Sequence, residues 1–142
     1  MTGKGYKIIN SFHNARTNHG KENAEDYVEI VADLIQENGE ARIVDISKRL
    51  GIAQATANKT IKRLIKDGYL FKEPYRSVFL TIKGQKLARD SKKRHKTVYE
   101  LLRSLGVSKK TAIHDSEGIE HHVSKETLEA FKKIIKKHNK IK

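Results

Sequence analysis

The run Glu117-Gly118-Ile119-Glu120-His121-His122 places two carboxylates and an imidazole, those of Glu117, Glu120 and His121, at i, i+3 and i+4. On a helix these side chains share one face. Carboxylates that close repel each other, so the arrangement is costly unless solvent or a cation separates the charges. A divalent metal is one explanation, and an exposed, hydrated helix face is the other. Further donors stand elsewhere in the chain. Asp26 and Glu29 lie three apart on an amphipathic stretch, and His95 lies among apolar positions, where a histidine serves as a satisfied core residue as readily as a ligand. Together the six make four carboxylates and two imidazoles, a set suited to one or two six-coordinate divalent ions such as manganese or ferrous iron. Zinc usually takes fewer ligands and often sulfur. The chain has no cysteine and its only methionine is Met1, so disulfides, thiolate metal sites and cysteine nucleophiles are excluded. His13, His19, His114, His122 and His138 have no comparable company.

The elements that must position these donors follow from hydrophobic spacing. Tyr27, Ile30, Val31, Leu34 and Ile35 recur at helical intervals from about 22 to 38, and Asn38-Gly39 supplies a stop. Val44, Ile46 and Leu50 lead to Gly51, after which Ala53 to Ile65 reads as a second helix with Ala57, Ile61, Leu64 and Ile65 apolar. A small residue at the joint lets the chain turn sharply, so this is a helix-turn-helix. Asp67-Gly68 is a turn signal, Tyr69-Leu70-Phe71 and Val78-Phe79-Leu80 read as strands, and the pair completes a winged helix. From Thr81 a long helix runs to about Leu105, Gly106 ends it, Ser108 caps a stretch over 109–122, and Ser124 caps a last helix. That last helix sets Leu128, Phe131, Ile134 and Ile135 opposite Lys132, Lys133, Lys136 and Lys137.

Charge divides the chain as sharply as hydropathy does. The 142 residues carry a net +13. Residues 41–80 hold nine Lys or Arg against three Asp or Glu, whereas residues 21–40 hold one Lys against seven acids. A basic module therefore follows an acidic helix, one suited to an anion and the other to a cation. If Ala53 to Ile65 is a recognition helix, Gln54, Thr56 and Asn58 can hydrogen bond to base edges or phosphates. Lys59, Lys62 and Arg63 follow as phosphate neutralisers, and Arg76 at the wing tip can reach a groove or the backbone. A structural winged helix that binds protein is the alternative. No apolar run approaches membrane-spanning length, which leads us to expect a soluble, cytoplasmic protein.

Four segments together resemble a known family. Ala24-Glu25-Asp26-Tyr27-Val28-Glu29-Ile30, Pro74-Tyr75-Arg76-Ser77-Val78-Phe79-Leu80-Thr81, the pair Arg94-His95, and the run from Glu117 to His122 look like the manganese transport regulators, a branch of the diphtheria toxin repressor family. The likeness covers roughly residues 20 to 135 in order. It implies that Asp26, Glu29, His95, Glu117, Glu120 and His121 bind metal, in a site for two ions with Glu117 and Glu120 shared between them. It also implies a homodimer built on the helical second half, reading a palindromic operator and repressing manganese uptake genes. Iron-responsive relatives carry a methionine on the first helix and a cysteine on the later one; Asp26 and Glu117 in those places favour manganese, with ferrous iron the alternative metal. Many relatives carry a third, SH3-like domain, and the chain's end at Lys142 leads us to expect none.

The expected architecture is mainly α. It comprises a basic arm over 1–20, a winged helix-turn-helix DNA-binding domain with a small two-stranded wing over 21–81, and an all-helical metal-binding and dimerisation domain over 82–142. No small-molecule substrate is expected, and no catalytic residues. A di-metal enzyme of the ferritin-like kind needs paired Glu-x-x-His motifs, which Glu117, Glu120 and His121 do not provide. A winged-helix transcription factor indifferent to metal, with the acidic set as surface charge, remains as the second reading.

Overall fold

A computed structural model describes residues 23–74 and 77–141. Helix α1 covers 23–38 and ends where Gly39, at φ 79°, donates its N–H to the Ile35 carbonyl at 2.8 Å. Then come α2 (Ile43–Leu50), α3 (Gln54–Lys66), β1 (Leu70–Lys72), β2 (Val78–Leu80), α4 (Ile82–Ser104), α5 (Lys109–Ile119), a single 3-10 turn (Glu120–His122) and α6 (Lys125–Ile141). The chain divides into two compact units between Arg89 and Asp90, at a point inside α4.

In the first unit the apolar faces of α1, α2 and α3 close on one core. Tyr27, Val28, Val31 and Leu34 meet Ile46, Ile61 and Leu64, with Leu70 and Val78 entering from the wing. Between α2 and α3 the backbone turns at Gly51, whose φ of 68° is left-handed; Ile52 donates to the Ser47 carbonyl at 3.1 Å as the helix ends. The strands pair antiparallel with Leu70 opposite Leu80 and Lys72 opposite Val78, so the first strand starts one residue later than Tyr69. Tyr69 instead serves the start of α4. Its carbonyl accepts from the Thr81 N–H at 3.1 Å, the Thr81 hydroxyl donates to the Gly68 carbonyl at 2.6 Å, and the Thr81 oxygen accepts from the Gly84 N–H at 3.0 Å. A Cβ on Gly84 would stand 2.1 Å from that same Tyr69 carbonyl oxygen. Only glycine allows this approach.

The second unit is built of helices alone. Val98 and Leu101 of α4, Ala112 of α5 and Leu128 of α6 are buried. Ser108 caps α5 by accepting the Thr111 N–H, and Ser124 does the same for α6 with Thr127. Buried polar side chains are unusually frequent in this unit: Ser91, Thr97, Ser116 and Glu120. The basic arm expected over 1–20 lies outside the described residues.

Candidate functional site

The segment from Glu117 to His122 straddles two kinds of helix. Ile119 is the last residue of α5; the Glu120 N–H still reaches the Ser116 carbonyl, but Glu120 to His122 wind as a 3-10 turn before Val123 leaves in extended backbone. The tighter winding changes which way side chains project. Glu117 therefore stays on the exposed side of α5, whereas Glu120 is 1% exposed and the His121 side chain 3%. Glu117, Glu120 and His121, which their spacing puts on one helix face, thus differ in exposure.

Two imidazoles flank the Glu120 carboxylate. Its Oε1 lies 3.7 Å from His95 Nδ1 and 3.7 Å from His121 Nε2, and its Oε2 accepts from the Ser91 hydroxyl at 3.4 Å. The Ser116 hydroxyl stands between the Ile113 carbonyl, at 3.1 Å, and His95 Nε2, at 3.4 Å, so it orients the ring whose Nδ1 faces the carboxylate.

Asp26 and Glu29 lie three apart on α1 of the first unit, both half-buried, and each has interaction partners of its own. Among the described residues, no group of three or more His, Asp or Glu side chains forms a ready cage for an ion. Of the six sequence-derived donors, the structure thus brings His95, Glu120 and His121 together and leaves Glu117 exposed. Ser91 and Ser116 were not anticipated from sequence. Their signal was present, since Ser91 precedes His95 by four residues and Ser116 precedes Glu120 by four, a spacing that puts each pair on one helix face.

On α3, Gln54 and Thr56 are exposed in the first turn, Asn58 is half-buried, and Lys59, Lys62 and Arg63 are exposed. The opposite face is anchored by Ala57, Ile61 and Leu64. No acidic residue occupies the first turn, so that end of the helix dipole is open to an anion. Arg76 falls outside the described residues.

Residues 21–78 match the N-terminal DNA binding domain of iron dependent repressors, and residues 81–140 match their metal binding and dimerisation domain. Over 130 residues the chain is 48% identical to the transcriptional regulator MntR of Escherichia coli O157:H7, covering 92% of this chain and 84% of that one. The HTH-type transcriptional regulator MntR of Geobacillus thermodenitrificans is 38% identical over 111 residues, 78% of this chain and 79% of that one. A solved manganese-dependent transcriptional repressor in complex with manganese superposes with a TM-score of 0.71 at 23% identity, over 79% of this chain and 52% of that one. The last likeness is one of fold, and the chain spans about half of that protein's length.

Proposed function

This chain belongs to the iron dependent repressor family, and from that premise we propose that it is a manganese-dependent transcriptional repressor. The observation that carries the reading is the Glu120 carboxylate. It is buried with an imidazole nitrogen on either side, in the segment that matches the metal binding and dimerisation domain. Donor chemistry agrees: oxygen and nitrogen without sulfur suit manganese better than zinc.

In this reading Asp26, Glu29, His95, Glu117, Glu120 and His121 hold the metal, two ions per subunit, with ferrous iron as the competing ion. A bound divalent ion supplies the positive charge that lets these carboxylates share a site. Ser116 orients the His95 ring through Nε2, and Ser91 hydrogen bonds to the Glu120 carboxylate. Once the donors are neutralised, the arrangement competent for DNA gains population. Gln54, Thr56, Asn58, Lys59, Lys62, Arg63 and Arg76 then face the duplex, the first three toward bases or phosphates and the cations toward phosphates. The working form is a cytoplasmic homodimer on a palindromic operator, and the regulated genes are those of manganese uptake.

A DNA-binding titration with manganese, ferrous iron, zinc and chelator tests the proposal. Binding should rise with manganese and collapse with chelator. Affinity indifferent to chelator would sink the metal-dependent reading, and an unchanged manganese response in Glu120→Gln would sink the site.

A further inference from the structure

The C-terminal half of α6 carries a lysine face that neither the metal site nor the winged helix uses. Leu128, Phe131, Ile135 and His138 seat the helix, with Leu128 buried and the others half-buried. Lys133, Lys136, Lys137 and Lys140 project from the opposite side, all exposed. At about 100° per residue the four fall within one arc of about 100°. Lys132 pairs with Glu129 at 3.3 Å, but among the described residues these four lysines make no ion pair. The acids of α6, Glu126 and Glu129, both lie in its first half, and from Lys132 onward there are none. Like charges at i+3 and i+4 repel only weakly when exposed, and their summed field draws an anion to the face.

The whole second unit shares this bias. Residues 90–142 hold 14 Lys and Arg against seven Asp and Glu, a net of +7, while residues 1–89 hold 16 against ten, a net of +6. The half of the chain without the helix-turn-helix is thus at least as basic as the half that has it. We propose that the lysine face of α6 is a second, sequence-independent contact for the phosphate backbone of duplex DNA.

The chemistry selects this occupant over an acidic protein. From Lys133 to Lys140 the helix advances about 10 Å, and duplex DNA presents one phosphate per about 1.7 Å of axis, so the four ammonium groups meet ample charge. The arc contains no aromatic, aliphatic or amide side chain, leaving nothing to read a base and no apolar centre for a protein interface. Lysines serve phosphate as flexible point charges. A duplex held by the winged helix also raises the local concentration of phosphate around the rest of the chain. The phosphates can belong to the flanks of the same duplex or to a second one.

This inference rests on the chain being a DNA-binding regulator, and the test separates the two ideas. Full-length protein with manganese is titrated against random-sequence duplexes of about 20 and about 60 base pairs between about 50 and 200 mM salt. In K133Q/K136Q/K137Q/K140Q the slope of log affinity against log salt should shrink by about 3.6, at roughly 0.9 per phosphate contact. Affinity at the lowest salt should fall at least tenfold, while the corresponding four-arginine variant keeps both. Circular dichroism and sedimentation establish that the variants are folded and assembled as the wild type is. A gain confined to the longer duplex assigns the contact to flanking DNA; energy transfer between two labelled short duplexes assigns it to a second molecule. Equal slopes for the glutamine variant and the wild type overturn the proposal. Should R63Q bind like wild type while the α6 variant does not, the winged-helix reading fails and this one stands.

Discussion

Ser116 illustrates how a side chain outside the proposed ligand set can bear on what a site does. Its hydroxyl lies 3.4 Å from His95 Nε2 and 3.1 Å from the Ile113 carbonyl, on the side of the ring away from Glu120. Ser116→Ala removes that contact and frees the ring to turn. If His95 holds metal as proposed, manganese affinity should drop by about 10-fold to 100-fold with the helices intact; calorimetric titration reads it directly. Glu40 presents a second residue-level case. The Ser77 hydroxyl donates to it at 2.8 Å, and this bond, followed by the nearby Arg42 charge, holds its carboxyl below the usual value. A carboxyl depressed in the folded state contributes stability above its unfolded pKa, and that contribution disappears as pH falls through the folded value. In Ser77→Ala the Glu40 titration, followed by NMR, should move up toward that of an ordinary glutamate. The stability difference from wild type due to Glu40 should be fully present at neutral pH and vanish in acid.

Among the elements, the tightest constraint is the approach of α4 to Tyr69, just before β1. A methyl on Gly84 meets backbone, the Tyr69 carbonyl, which cannot swing aside as a side chain can. Gly84→Ala should therefore destabilise the first unit by about 1–3 kcal/mol, as overpacking does elsewhere, measured by urea unfolding. Elements of this kind were partly legible in the sequence. The helix-turn-helix could be read because its signals are local: Gly51 at the joint, and Ala57, Ile61 and Leu64 at helical spacing with their neighbours polar. Ser108 and Ser124 announced the starts of α5 and α6 for the same reason. The turn at Glu120 could not be read that way. Whether α5 continues or tightens to a 3-10 turn depends on where Val123 must go, and a hydrophobic pattern tolerates either outcome within a residue or two. The carboxylates of Glu117 and Glu120 and the imidazole of His121 were therefore legible as a cluster, while the burial of two and the exposure of the third were not. Gly84 was equally silent, because its role lies in a contact with Tyr69, fifteen positions earlier in the chain.

At the scale of the whole molecule, a metal-binding function and a DNA-binding function in one chain are linked thermodynamically. If manganese tightens DNA binding by some factor, DNA must tighten manganese binding by the same factor. Metal titrations with and without duplex should therefore give two affinities whose ratio equals that of the DNA affinities with and without metal. A mismatch would mean that a further equilibrium, such as assembly, carries part of the coupling. The division of the chain at Arg89 adds a mechanical point. Helix α4 runs unbroken through that boundary, carrying Gly84 on one side and His95 on the other. Such a connection has a phase. One residue inserted after Arg89 would turn His95 by about 100° around the axis relative to Gly84, and seven would return it to within about 20° of its starting bearing.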